Sequence, residues 1–194
     1  MAKFLSTKKK KNLLIELHPR AYEAYYFFHS QSFLFDKTNM RIETLKSIQY
    51  GQIFSVTHPS KDNAYLFSGF ETLGFSINEF DFKNNIIAVQ NELRDAEIEM
   101  IAWTGVLRTL LSSIRESQLE TFRKSLNESV PVYIIQQFFS AKKLTQAKLA
   151  KCTPLSISGL KKQRRINNTD RPDFEQNNIQ SDIFESLINE AKRK

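Results

Sequence analysis

Apolar and polar residues alternate along this chain with two different periods, and the change of period divides it. Asn12 to Leu17 (NLLIEL) is a short apolar run that predicts a strand, and His18-Pro19 then opens a helix through Phe28. Residues 41–50 carry Ile42, Leu45 and Ile48 at helical spacing. Ile53 to Val56 reads as a strand and Ala64 to Phe67 as its return, joined by the turn cluster His58 to Asn63 and ended by Ser68-Gly69. Ile86 to Val89 predicts a further strand.

From Asp95 the period becomes that of a helix. Asp95 is the expected N-cap of the longest helix, which reaches Ile114. Ile98, Ile101, Val106, Leu110 and Ile114, with Trp103 and Leu107, form a stripe expected to lie in the core. Beyond it only helices are predicted: Ser117 to Leu126, then one with Pro131 in its first turn running through Phe139, then two short ones. A polar linker, Asn167 to Asn178, precedes an amphipathic helix from Ser181 to Ala191 with Ile183, Phe184, Leu187 and Ile188 on one side. The expected fold class is α+β. A basic tail (1–11) leads to a small mixed α/β domain (12–116). An all-α helix-turn-helix domain (117–166) follows, then the linker and C-terminal helix (167–194).

Composition narrows the function. Of 194 residues, 41% are hydrophobic and 12% aromatic, ample for a core. No apolar run approaches the roughly 20 residues that cross a bilayer, and no apolar segment follows the N-terminal lysines as a secretory signal requires. One cysteine, Cys152, allows no internal disulfide framework and no zinc site by itself, and it is expected to be a small buried residue. The expected location is the cytoplasm.

The net charge of +7 is unevenly spread. Residues 1–11 hold five lysines and no acid. Residues 129–169 hold Lys142, Lys143, Lys148, Lys151, Lys161, Lys162, Arg164 and Arg165, again with no acid. The rest of the chain is net negative. Two basic patches on an acidic body suit a polyanion partner, although the N-terminal lysine run also reads as a solvated tail.

The second patch contains the most informative segment, LTQAKLAKCTPLSISGLKKQ over residues 144–163. Thr145 can cap one helix by accepting from the N–H of Lys148, and Ser156 can cap a second. Leu149, Leu155 and Leu160 face the core, and Thr153-Pro154 makes the turn. Ile157, Ser158, Gly159, Lys161 and Lys162 are then on the outer surface or at the start of the second helix, which would lie in a DNA major groove. Thr145 and Gln146 at the first helix's start are placed for phosphate. Lys142, Lys143, Arg164 and Arg165 add phosphate contacts.

The segment resembles the widespread bacterial helix-turn-helix in which "LTQ..LA" precedes a turn and "[VL]S...[IL]". Thr153 stands where an apolar residue is usual, and Pro154 where glycine makes the turn. Because proline cannot take positive φ, a different turn geometry is expected.

The order of elements over residues 40–165 resembles the ParB-like partition proteins. There a helix ending "SI..G" leads into a strand, a hairpin returns as "Y.L..G", and a strand and helix precede the helix-turn-helix. The matching residues are Ser47-Ile48 with Gly51, Ile53 to Val56, Tyr65 to Gly69 and Ile86 to Val89. The resemblance implies DNA binding in partition or transcription regulation. It also implies a nucleotide held by paired arginines after the glycine. Here Phe70 and Glu71 follow Gly69, and of the family's "EN..R" only Arg108 is present. A member that keeps DNA and loses the nucleotide is therefore expected, with no cofactor.

Catalytic chemistry finds no constellation. His18, His29 and His58 lack metal-ligand spacing, no phosphate-cradling glycine loop or nucleophile elbow occurs, and Glu97 and Glu99 fall on opposite sides of a helix. The chain is expected not to be an enzyme. Its expected partner is double-stranded DNA, bound as a homodimer because one half-site rarely suffices. The helix from Ser181 could join the dimer or pack on its own chain. The competing expectation is a protein-interaction module of a mobile element.

Overall fold

The computed structural model describes residues 3–6, 13–35, 39–49, 51–58, 60, 62–79 and 85–169. It is an α+β fold, with the strands between Lys3 and Val89 and helices from Asp95 to Thr169. Five strands form one mixed sheet: β1 (Lys3–Phe4), β2 (Leu14–Leu17), β3 (Ile53–Thr57), β4 (Asn63–Ser68) and β5 (Ile86–Val89), in the order β1-β5-β3-β4-β2. β3 and β4 are an antiparallel hairpin, with a register shift between Ser55 and Val56. β5 runs parallel to β3, and β2 parallel to β4.

Alternation sets the sheet's two faces. Ile15, Leu17, Phe54, Val56, Ala64, Leu66 and Ile87 point inward and are buried. The buried face meets α3 (Asp95–Ser113), on which α1 (Tyr22–Ser30) packs in turn, while α2 (Ile42–Gln49) comes before β3 in the chain. The stripe predicted on α3 is core: Ile98, Trp103, Val106, Leu107 and Leu110 are buried. Each such side chain contributes roughly 1.5–3 kcal/mol on leaving water. His18 Nδ1 accepts from the N–H of Arg20 (3.1 Å), which starts the 3-10 turn Pro19–Ala21 leading into α1.

Some boundaries move. Arg94, not Asp95, is the N-cap of α3: its N–H donates to Glu97 Oε2 (2.8 Å), while Asp95 enters the first turn and pairs with Arg20 (3.0 Å). The carboxylate three residues on reaches back to the cap's N–H, and that local geometry decides the start. The helix expected from Ser117 begins as a 3-10 turn, Glu116–Gln118, and continues as α4 (Leu119–Ser129). Pro131 stands one residue before α5 (Val132–Phe139). Lys3 and Phe4, read as part of a tail, form an edge strand on β5. α6 (Gln146–Cys152) and α7 (Ile157–Thr169) follow, so Asn167 to Thr169 belong to a helix and not to the linker. The remaining linker and the helix expected from Ser181 lie outside the described residues.

Two glycines are set by close approach. Gly69, at φ +99, leaves no room for a side chain because a Cβ would stand 2.8 Å from the Ile53 carbonyl oxygen. Gly105, mid-helix in α3, lies against the Glu71 carboxylate, where a Cβ would collide with it. At an open helical position Gly→Ala stabilises by about 1 kcal/mol. Here the sign reverses. Gly105→Ala should destabilise by roughly 1–3 kcal/mol in urea unfolding, and a gain in stability would remove Glu71 from that position.

Candidate nucleic-acid interface

α4, α6 and α7 pack on one another around Leu119, Phe122, Leu126, Leu144, Leu149 and Leu160, all buried. Both expected caps are present. Thr145 Oγ1 accepts from the N–H of Lys148 (3.2 Å), and Ser156 Oγ accepts from the N–H of Gly159 (3.2 Å). Lys148 Nζ reaches the Ser140 carbonyl (3.2 Å) at the end of α5. Between α6 and α7, Thr153 is extended (φ −133, ψ 162) and its hydroxyl donates to the Leu149 carbonyl (3.0 Å). Among the described residues Ser140 is the one non-glycine at positive φ, so this turn is made without a left-handed residue, as Pro154 requires.

A polar cluster that sequence reading missed braces these helices. Glu120 on α4 is wholly enclosed and takes both donors of Arg123, at 2.8 and 2.8 Å. Gln146 Nε2 donates to Glu120 Oε1 (3.0 Å), joining α4 to α6. Gln163 joins α4 to α7: its Oε1 accepts from the Glu120 N–H (3.2 Å) and its Nε2 donates to the Glu116 carbonyl (2.9 Å). Arg123 and Asn127 both donate to the Leu144 carbonyl, at 3.2 and 3.0 Å. Burial pushes the Glu120 carboxyl up, but the hydrogen bonds and charge of Arg123, with the Gln146 donor, outweigh it and hold the carboxyl below its ordinary range. No local signal marks this cluster, because Gln146 and Gln163 lie 26 and 43 residues from Glu120.

On α7 the buried side is marked by Leu160, with Gly159 and Gln163 half-buried. At 100° per residue the opposite side is centred on Ser158, Lys161 and Arg165, flanked by Ile157 and Arg164 on one edge and Lys162 on the other. All six are exposed. Among the described residues no carboxylate is within ion-pair range of Lys161 or Lys162. Lys142, Lys143, Thr145 and Lys151 are exposed as well.

Three residues are placed otherwise than the pattern suggested. Gln146 is half-buried, with its amide committed to Glu120. Gly159 turns inward, where a Cβ would make ordinary contact with Leu155 at 3.4 Å, so it presents no bare backbone outward. Cys152, expected to be buried, is exposed.

A second polar site follows Gly69. Gln52, Ser68, Glu71, Thr72, Arg108 and Thr109 line a pocket of about 350 Å³. Glu71 is buried and folds back, accepting from the Gly69 N–H (2.8 Å) and the Ser68 hydroxyl (3.2 Å). Burial pushes its carboxyl above the ordinary range, against the backbone N–H bonds, the Ser68 hydroxyl and Arg108. A nucleotide phosphate would need the donors that Glu71 occupies, so these residues do not fit one.

Compared with known proteins, the chain matches no family model, no curated protein and no solved structure.

Removing one partner of a buried ion pair leaves an uncompensated charge, so Arg123→Ala should cost about 3–5 kcal/mol in urea unfolding. The double variant Glu120→Leu/Arg123→Leu should cost far less, and equal losses would show that the cost of Arg123→Ala does not come from leaving the Glu120 charge unpaired. At Glu71 the folded protein holds a proton to higher pH than the unfolded chain does. Its carboxyl therefore costs stability increasingly as pH rises above the ordinary value of 4.5. Glu71→Gln should raise the melting temperature relative to wild type at pH 7 and give a smaller gain at pH 4. A difference that is flat with pH contradicts the assignment.

Proposed function

We propose that this chain binds double-stranded DNA through α7. The observation that carries the reading is the exposed cationic side of a helix that is capped at Ser156 and braced from behind by Gln163 and Leu160, on which Lys161 and Lys162 have no carboxylate in ion-pair range among the described residues. A rigid helix with lysines directed outward has the shape and charge to enter a major groove.

In this reading Ser158, Lys161 and Arg165 face base edges, with Ile157 available to a thymine methyl group. Lys162, Arg164, Lys142, Lys143 and Thr145 contact phosphates and set the register. Gln146 acts mainly by positioning α6 through Glu120. The absence of acid across residues 129–169 keeps the approach free of repulsion. The biological setting we propose is partition of a plasmid or other mobile element, or transcription regulation. A homodimer supplies the two half-sites that high affinity requires.

Duplex binding tests this directly. Lys161→Glu/Lys162→Glu should weaken affinity at moderate salt by roughly a hundredfold or more. Replacing the same pair by alanine should lower the slope of log affinity against log salt by about two. Unchanged affinity and slope would reject α7 as the recognition helix.

A further inference from the structure

Lined by other residues than the cationic side of α7, a groove of opposite character runs between α1 and the end of α4. Tyr22 and Tyr26, one turn apart on α1, stack with centroids 6.4 Å apart and planes 27° from parallel. They remain 44% and 66% exposed. The groove holds about 530 Å³ and is closed on its far side by Glu128 and Ser129 at the end of α4. Tyr133, at the start of α5, is near enough to feel the charge of Glu23 and is 44% exposed.

These aromatic groups do not serve the core, which is complete beneath them with Phe27, Phe28, Trp103 and Phe122. Contiguous exposed apolar surface of this kind marks a binding site more often than chance. Its charge narrows the partner. Glu23 lies beside the tyrosines, Glu128 opposite, and Glu99 under Tyr133. The Tyr133 hydroxyl is pushed up to about 12 by burial first, then by its hydrogen bond to Glu99 and the negative charges of Glu99 and Glu23. The neighbouring cation, Arg20, is paired with Asp95 at 3.0 Å. The groove is thus acidic within a chain of net charge +7.

Tyrosine faces attract cations through the ring quadrupole, and adjacent carboxylates add charge-assisted hydrogen bonds to the same group. Phosphate is repelled by the same glutamates, so this surface cannot extend a DNA site. We propose that the groove between α1 and the end of α4 docks an arginine- or lysine-bearing segment of another polypeptide, with the cationic side chains over Tyr22 and Tyr26 and their head groups between Glu23 and Glu128. Because α1 belongs to the sheet half and α4 and α5 to the helical half, an occupant here touches both.

Fluorescein-labelled octa-arginine, titrated into the full chain without DNA, tests the assignment, with uncharged octa-serine as control. Octa-arginine should bind, and octa-serine should not. Affinity should fall about tenfold in Tyr26→Ala and by a similar factor in Glu23→Gln/Glu128→Gln. Both variants alter exposed side chains and should keep the wild-type melting temperature and DNA affinity. Peptide binding unchanged by either variant overturns the proposal. So does a wild-type dimer in sedimentation that Tyr26→Arg splits and octa-arginine leaves intact, because a second copy then fills the groove.

Discussion

The helical half turns on one carboxylate. Glu120 is withdrawn from water at a place where three helices meet, and a buried charge is tolerated only when its lone pairs are met. Arg123 meets two of them from the same helix, and Gln146 meets another from α6, while Gln163 of α7 bonds the backbone at the same residue. Apolar packing of Leu149 and Leu160 alone would leave α6 and α7 free to slide, because dispersion has little direction. Hydrogen bonds to one fixed group do not allow that. The angle between α6 and α7, and therefore the direction in which Lys161 and Arg165 project, follows from how Gln146 donates to the Glu120 carboxylate while Gln163 accepts from the Glu120 N–H.

A similar constraint acts in the sheet half with the opposite electrostatic result. Glu71 is buried without a direct ion pair, so its charge is held by the Gly69 N–H and the Ser68 hydroxyl, and its carboxyl is driven toward the protonated form. Its bulk demands glycine at position 105 on the facing helix, and its donors demand the left-handed turn at Gly69. The two halves thus each contain a buried glutamate: one ionised and locking helices together, the other disfavoured as an anion and filling the position where a phosphate would need donors.

The surface is divided in the same way. Cations collect on the outer side of α7 and in the loop before α6, where nothing acidic is near in sequence. Carboxylates and tyrosines collect between α1, α4 and α5. The cationic surface and the acidic groove therefore draw on different residues. The same core supports both, since Phe27 of α1 packs on Trp103 of α3 and on Phe122 of α4.

Sequence alone determined whatever depends on neighbours a few residues apart. Alternation over Ile53 to Val56 and Ala64 to Phe67 marked the hairpin, the stripe from Ile98 to Leu110 marked the central helix, and Thr145 and Ser156 marked the caps, because a cap bonds an N–H two or three residues on. The run free of acid from 129 to 169 already placed the positive charge. Tertiary structure decided the rest, since those partners are distant along the chain. Lys3 and Phe4 become a strand only because β5 offers an edge more than eighty residues later. Cys152, three residues after the buried Leu149 and so on nearly the same side of α6, is nonetheless exposed at the helix's last residue. Glu120 becomes the anchor of the motif only when Gln146 and Gln163 arrive from separate helices, and a periodic pattern carries no record of that meeting.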